Sequence, residues 1–412
     1  MPAEQRSFLF LQGPLSPFFR ELGRALGRTG CTVHRVNFCG GDVFYWPWGA
    51  THCWRGYAYE WPQWVAGLME QCRTTDIVLM GDWRPLHHEA VWLARQRGVR
   101  VWVFEEGYLR PGYITLEEDG VNDYSSLPRS PEAVRARARE LEDAYLASPS
   151  TAPNPMPGRV LKTAWNHVGN VLLWPFFHRY RTHRPYCIGH ELLGLVPRCL
   201  TRKRRRRHGL EVTRYLLRQS VPFYLMPLQL DADAQVRRHS PFIGMLECMA
   251  QVVMDFARNA PKDTLLVFKN HPLDNGLRNY RRYMRSLARA TGCSERLRFV
   301  EEVNPGPLCR RARAVVLCNS TLGLSALCMN KPVYCLGKSI YSMPGLAAST
   351  AQMPLAAFWN APPSPDAALL EDFLRVLRHD ALIPGNFYSP QGIRDAVDAS
   401  LVRIGVTTGG QR

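Results

Sequence analysis

Lys269-Asn270-His271-Pro272 stands directly after the apolar run Thr264–Phe268. A lysine and a histidine at the end of a buried strand can both reach a diphosphate or phosphodiester, and Pro272 stiffens the turn. Taken alone, the tetrapeptide also reads as a surface turn with a solvated lysine. Asn319-Ser320-Thr321 follows a second apolar run, Ala314–Cys318, and opens the segment LGLSAL. Ser and Thr at a helix start are first of all N-caps. The same geometry gathers free N–H groups and hydroxyls around an anion. With Lys269 and His271 one strand–helix unit away, both anion sites are expected on one crevice, which favours a nucleotide phosphate.

The carboxylates come in two places. Glu105 and Glu106 close the run Val99–Phe104 and precede Gly107-Tyr108-Leu109-Arg110-Pro111. Two acids beside an arginine and a glycine-enabled turn suit a catalytic loop, or a solvated strand end with Arg110 pairing one of them. Pro227-Leu228-Gln229-Leu230-Asp231-Ala232-Asp233 follows the strand that opens the second half of the chain. A carboxylate there lies where a nucleophile or base is needed, at a cleft between domains; the plain alternative is a cap for the next helix. His87 and His88 are adjacent, point in different directions on a helix and have no third ligand nearby, so no metal is expected. No GxxxxGK[ST] loop and no GxGxxG fingerprint opens a strand–helix unit, which argues against an NTPase or a dinucleotide oxidoreductase. There is no GxSxG elbow either.

Alternating elements position these residues. Strands are expected at Ser7–Leu11, Cys31–Phe38, Asp76–Met80 and Val99–Phe104, with helices at Phe18–Arg28 and His87–Arg97 between them. Ser130–Leu146 reads as a charged helix, 147–158 as a linker, and the stretch to Arg207 as basic and aromatic-rich. The alternation resumes with strands Pro222–Pro227, Thr264–Lys269, Arg298–Val300, Ala314–Leu317 and Pro332–Leu336. Helices Pro241–Asn259, Leu277–Thr291, Leu322–Met329 and Asp366–His379 complete the reading, followed by a polar tail. Buried strands alternating with helices imply parallel sheets covered on both faces. Ligands of such folds bind beyond the carboxyl ends of the strands. The expected domains are 1–130, a helical insertion at 131–220, a second α/β domain at 221–380 and a tail at 381–412.

The chain of 412 residues has room for two or three domains at roughly 150 residues each. Its hydrophobic content of 46% with 21% charged residues is that of a folded protein. The net charge of +17 favours polyanionic partners: nucleic acid, sugar nucleotides or an anionic leaflet. From Arg159 to Arg218 there are 14 Lys and Arg against Glu191 and Glu211, a local net of +12, so a single partner surface is implied. The 12 cysteines form no CxxC pair and many sit in apolar runs, which reads as reduced thiols in the cytoplasm. No signal peptide is evident, and no run approaches the roughly 18–20 apolar residues that span a bilayer, so any membrane contact is expected to be peripheral.

Four ordered motifs carry a resemblance over most of the chain, from FLFLQGP (Phe8–Pro14) to about Pro344: EEGYLRPGYITLEEDGVN (Glu105–Asn122), PLQLDADAQVRRHSPF (Pro227–Phe242), KNHPLD (Lys269–Asp274) and NSTLGLSAL (Asn319–Leu327). In these the sequence resembles the capsule polysaccharide biosynthesis and export proteins, a family of retaining β-Kdo transferases, and looks like the single-unit form that adds the first Kdo to a phosphatidylglycerol-type lipid. The resemblance implies a GT-B-like α/β fold, two Rossmann-like domains with the helical basic insertion between them, and CMP on the C-terminal one. It implies that Lys269, His271 and Pro272 hold the CMP phosphate together with Asn319, Ser320, Thr321 and Gln229. Asp233, four residues after Gln229, matches the family's catalytic aspartate, with Glu105 or Glu106 assisting proton transfer. No cofactor or metal is implied beyond the CMP-Kdo donor, although Asp231-Ala232-Asp233 has the letters of a metal motif. The implied partners are the CMP-sugar, an anionic lipid acceptor on the inner face of the inner membrane, and other capsule biosynthesis or export proteins. Nucleic acid is the other reading of a basic, aromatic segment. A CMP-sialic-acid-type transferase and a non-catalytic export factor binding acidic glycolipid are the alternative functions.

Overall fold

The computed structural model describes residues 6–144, 146, 148–154, 156–182, 188–219, 221–231, 236–237 and 240–406. The chain divides into two compact units: Met1–Leu127 with Leu141–His183 and Arg375–Arg412, and Pro128–Glu140 with Arg184–Leu374.

The first unit is built on β1 (Ser7–Phe10), β2 (Thr32–Asn37), β3 (Thr51–Cys53), β4 (Asp76–Met80), β5 (Arg100–Glu106) and β6 (Tyr113–Glu118). The second carries β7 (Phe223–Pro227), β8 (Leu265–Lys269), β9 (Leu297–Val300), β10 (Ala314–Leu317), β11 (Val333–Cys335) and β12 (Ala348–Ser349). The last strand, β13 (Leu382–Pro384), returns to the first unit. The first sheet runs β13-β6-β5-β4-β1-β2-β3. Strands β1 to β5 pair in parallel, β6 turns back antiparallel on β5, and β13 lies antiparallel on β6. The second sheet is parallel throughout, in the order β12-β11-β10-β7-β8-β9. Both are Rossmann-like. Each reverses its strand order once, between β1 and β4 in the first and between β7 and β10 in the second, and ligands of open α/β sheets bind at such reversals.

Period-two alternation explains the first core. Phe8 and Phe10 join Phe18, Leu22 and Phe104 on one face, whereas Leu9 and Leu11 join Trp61, Leu79 and Val101 on the other. At the amino end of β4, the fully buried Asp76 carboxylate accepts from Arg6, Thr75 and Trp102.

The chain departs from the sequence reading in several places, three of which bear on the site and on the threading of the units. Tyr113–Glu118, unassigned there, forms a hairpin with β5. Residues 381–412 are not simply a polar tail: β13 and helix Pro390–Ile404 bury Ile383, Phe387, Ile393, Ala396, Val397 and Ile404 in the first core. The stretch 131–220 is divided between the units. Helix Met156–Leu172 packs on helix Gly40–Tyr45 in the first, and helix Ile188–Arg218 packs along β9 and helix Pro305–Arg311 in the second.

Candidate active site

The reversal point of the second sheet is bridged by side chains. Leu225 on β7 pairs with Val267 on β8 and with Val315 on β10. Gln229, His271 and Asn319 each stand four residues beyond these partners, so the three strands release them at the same edge. Neighbouring strands lie about 4.8 Å apart, which puts the loops after β10 and β8 roughly 10 Å apart with the β7 loop between them. Gln229 and Asn319, both buried, hydrogen-bond reciprocally: Gln229 Nε2 donates to Asn319 Oδ1 at 3.0 Å, and Asn319 N–H donates to Gln229 Oε1 at 3.2 Å. Their job in the folded chain is to pin the two loops together.

Lys269 ends β8 with only 6% of its surface exposed. Its ammonium has no hydrogen-bond or ion-pair partner among the described residues. Burial pushes its pKa down to about 8, with Glu302 pulling weakly the other way. A buried, unpaired cation at a strand's carboxyl end is costly unless an anion arrives. Beside it, the Leu273 N–H donates to His271 Nδ1 at 3.1 Å, which places the neutral ring's proton on Nε2. Pro272 is exposed at the tip of the turn. Asn270 is buried and structural: its Nδ2 donates to Asp274 and Glu301, and its Oδ1 accepts the His271 N–H.

After β10, the Ser320 hydroxyl accepts from the Leu322 N–H at 3.3 Å, whereas Thr321 makes no side-chain cap to helix Leu322–Leu327. Capping therefore accounts for Ser320 and not for the half-buried Thr321 hydroxyl. Tyr341, fully buried, donates its hydroxyl to the Ser320 carbonyl and fixes this loop from behind. Position 323 must be glycine for that contact, because a Cβ there would lie 2.1 Å from Tyr341 Oη. Nothing in the spacing of Ser339–Pro344 marks Tyr341 as part of the site. Asp231 caps helix Met245–Asn259 by accepting the Met245 N–H at 3.1 Å. Asp233 lies outside the described residues.

Glu105 and Glu106 are neighbours on β5 and point to opposite faces. Glu106 accepts from Arg159 at 2.7 Å and from the Tyr388 hydroxyl at 3.2 Å, with Arg110 at 3.9 Å. Glu105 turns the other way, its Oε2 beside Gly81 at the end of β4 and its Oε1 accepting the Glu106 N–H. The rest of that hairpin motif is a buried polar clamp. Tyr108 Oη donates to Glu117 at 2.8 Å and accepts the Asn122 N–H at 2.7 Å, and Ser125 donates to the other Glu117 oxygen. Burial, reinforced by the Glu117 charge, pushes the Tyr108 hydroxyl well up, so it stays a neutral donor.

At the first sheet's reversal point a polar cluster forms, of which the sequence reading weighed only His87, and only for metal binding. Gln12 accepts from Arg84 at 2.8 Å and Tyr180 at 3.1 Å and donates to Asp42, which Arg35 pairs at 3.4 Å. His87 uses both nitrogens there, accepting from the Gln12 N–H and donating to the Gly81 carbonyl. Among the described residues, one group has metal-ligand spacing: His34 on β2, His52 on the edge strand β3 and Cys72 just after helix Trp61–Gln71, with ligand atoms within 4.8 Å. None of the three belongs to the polar cluster at the first sheet's reversal point.

The arginine run is only partly turned outward. Arg198 binds Asp274 at 2.9 Å and Glu301 at 3.2 Å, Arg205 binds Glu302 at 3.2 Å, and Arg202 binds Glu302 at 3.3 Å. These pairs brace the Asn270–Asp274 turn against the end of β9. Lys203, Arg204 and Arg206 are exposed.

Comparison with known proteins adds the following. The profile of the family described as "Capsule polysaccharide biosynthesis protein" matches residues 75–388. The capsule polysaccharide export protein KpsS of Escherichia coli is 36% identical over 382 residues, which is 89% of this chain and 93% of that one. The capsule polysaccharide modification protein LipB of Neisseria meningitidis serogroup A is 33% identical over 393 residues, 93% of this chain and 92% of that one. Among solved structures, KpsC of Thermosulfurimonas dismutans, a beta Kdo 2,7 transferase, is similar with a TM-score of 0.44 at 16% identity, covering 96% of this chain and 100% of that one.

Proposed function

The chain belongs to the capsule polysaccharide biosynthesis family, and from that premise we propose that it is a glycosyltransferase carrying Kdo from CMP-Kdo to a phosphatidylglycerol-type lipid. The observation that carries this reading is the buried Lys269 ammonium, unpaired among the described residues at the reversal point of a parallel sheet. A CMP phosphate is an anion that would pair with it. His271 Nε2–H and the Thr321 hydroxyl complete the cradle, and Gln229 with Asn319 holds its two sides in register.

In the proposed reaction the bond between the anomeric carbon and the CMP phosphate oxygen breaks, and its electron pair stays on the phosphate. Lys269 and His271 neutralise that charge as it develops, so the leaving group needs no separate acid. Retention of configuration follows if Asp233 attacks first and the lipid hydroxyl then displaces it. Glu105 takes the proton of that hydroxyl. Glu106, held by Arg159 and Tyr388, positions the end of β5 instead.

The test is CMP release from CMP-Kdo with a short-chain phosphatidylglycerol acceptor, product mass and anomeric configuration being read together. Asp233→Ala is expected to keep CMP binding and lose turnover, and Glu105→Gln to lose roughly 10²–10⁴-fold in rate. Unchanged turnover in Asp233→Ala removes that residue from the mechanism. CMP binding with no transfer to any lipid leaves the export-factor reading in place of the enzyme.

A further inference from the structure

Helix Met156–Leu172 is amphipathic the wrong way round for a protein in water. Its inward face is polar or small. Asn166 is buried, Asn170 Oδ1 accepts the Gly41 N–H at 2.7 Å, and Gly169 meets Gly40 so closely that a Cβ on Gly40 would lie 2.0 Å from the Gly169 carbonyl. Its outward face is apolar. Leu161, Trp165, Val168 and Leu172 follow one another at helical spacing with Val171 beside them, and Leu161 is 72% and Leu172 63% exposed. The turn that follows adds Trp174 and Phe176, 65% and 55% exposed. A contiguous face of this kind marks a surface that something covers.

The charge around it says what. Residues 156–182 contain no Asp or Glu and carry Arg159, Lys162, Arg179 and Arg181. Arg55 lies over the Phe176 ring at 5.5 Å, and Arg179 over Tyr57, which stacks on the exposed Tyr59. Aliphatic side chains and tryptophan on the outer face, aromatic–arginine pairs at the rim and no acid within residues 156–182 match a helix lying in an anionic lipid–water interface. No helix among the described residues is long and apolar enough to cross a membrane. We propose that the outer face of helix Met156–Leu172, with Trp174 and Phe176, seats the protein on an anionic bilayer, and that this helix, not the arginine run of Ile188–Arg218, is the membrane foot.

The same helix holds the candidate acceptor strand. From its first turns, Arg159 pairs with Glu106 at the end of β5 and stacks over Tyr388 at 4.6 Å, while Lys162 donates to the Tyr388 carbonyl at 2.6 Å. Seating the helix therefore brings the Glu105 end of β5 to the lipid surface, a consequence that rests on the lipid-acceptor reading above. The face itself does not depend on it.

Co-sedimentation of the full chain tests this with vesicles of phosphatidylcholine and of equal parts phosphatidylcholine and phosphatidylglycerol. The wild type is expected to bind the mixed vesicles. The triple variant Leu161→Gln/Val171→Gln/Leu172→Gln is expected to lose roughly tenfold or more in that binding, with an unchanged thermal midpoint and unchanged turnover on a soluble short-chain acceptor. Lys203→Glu/Arg204→Glu/Arg206→Glu is expected to weaken binding less. Wild-type-like binding by the apolar triple variant overturns the proposal, as does the reverse order of the two variants. A wild type that ignores vesicles but self-associates through this face in sedimentation overturns it too. Vesicle binding without turnover on any acceptor would count against the transferase reading alone and leave the membrane foot standing.

Discussion

Lys269 carries a charge that its own surroundings disfavour, and this separates its contribution to binding from its contribution to folding. Folded, it titrates near 8 because of burial; unfolded, a lysine titrates at roughly 10.4. The folded state thus gives up this proton first. Below 8 both states are protonated and the burial penalty is full; as pH rises from about 8 towards 10.4 the penalty is relieved and this residue's contribution to stability increases. Lys269→Met is therefore expected to raise the thermal midpoint at neutral pH while weakening donor binding by roughly 1.5–3 kcal/mol, the worth of a charge-assisted contact. Calorimetric titration with CMP, alongside thermal unfolding, checks both directions at once. In the wild type, kcat/KM is expected to fall as pH rises through about 8, because free protein that has lost this proton cannot neutralise the phosphate. A profile flat to higher pH would take Lys269 out of the donor site. Asp76 shows the opposite balance. Burial drives its carboxyl up, but hydrogen bonds from Arg6, Thr75 and Trp102 outweigh that and hold it below the usual range. Its stabilising contribution is present above the ordinary carboxylate range and is lost as pH falls through the lowered value. Asp76→Asn is expected to cost about 3–5 kcal/mol in urea unfolding at neutral pH, since it strands a buried Arg6.

Among the elements, helix Ile188–Arg218 has the most misleading sequence. Its arginine run reads as one partner surface because sequence separation hides the acids it meets: Arg198 and Arg205 reach Asp274, Glu301 and Glu302, between 76 and 103 residues on. These are half-buried links that hold the Asn270–Asp274 turn, and with it His271, against β9. Arg198→Ala is expected to cost roughly 1–3 kcal/mol of stability, softened because Arg205 and Arg281 still reach Glu301. It is also expected to raise the donor KM more than it lowers kcat. Arg204→Ala, on the exposed side, is expected to stay within about 0.5 kcal/mol of the wild type. Equal effects of the two substitutions would mean that the bracing is unimportant. Elements of strong period were legible in advance: Phe18–Arg28, Asp76–Met80 and Ala314–Leu317 stand where their apolar spacing puts them. So did the positions of Lys269 and Asn319–Thr321 at strand ends, because a buried parallel strand is a continuous apolar run and its end is a change of composition. What was not legible is what depends on distant pairing. Tyr341 behind Ser320 and Glu106 as a strut are each settled by a partner far off in the chain, whereas the cap by Asp231 was among the alternatives its position offered.

At the scale of the whole chain, the same limit governs how the two units are threaded. Local periodicity placed a domain, an insertion, a second domain and a tail in sequence order. The folded chain instead gives Pro128–Glu140 to the second unit, returns Leu141–His183 to the first, and brings Arg375–Arg412 back again. The signal for that last return was present but weak: Ile393, Val397, Ser400 and Ile404 recur at helical spacing in a segment interrupted by Arg394, Asp395, Asp398 and Arg403. The consequence is that the first unit cannot complete its core before residues 383–404 have been made. Ile383, Phe387, Ile393, Val397 and Ile404 all lie in its core, with Phe387 edge-on to Phe18 at 5.2 Å. At about 1.5–3 kcal/mol for each large buried side chain, their loss matches the whole 5–15 kcal/mol stability of a typical domain. A chain ending at Asp380 is therefore expected to leave the first sheet unprotected against hydrogen exchange. The second unit loses no core residue by that truncation and should keep slow exchange in β7, β8 and β10. Donor-site CMP binding should accordingly survive in the truncated chain, while transfer is abolished. If instead β1 and β4 retained wild-type protection, the C-terminal helix would be an accessory to the first unit and not a part of its core.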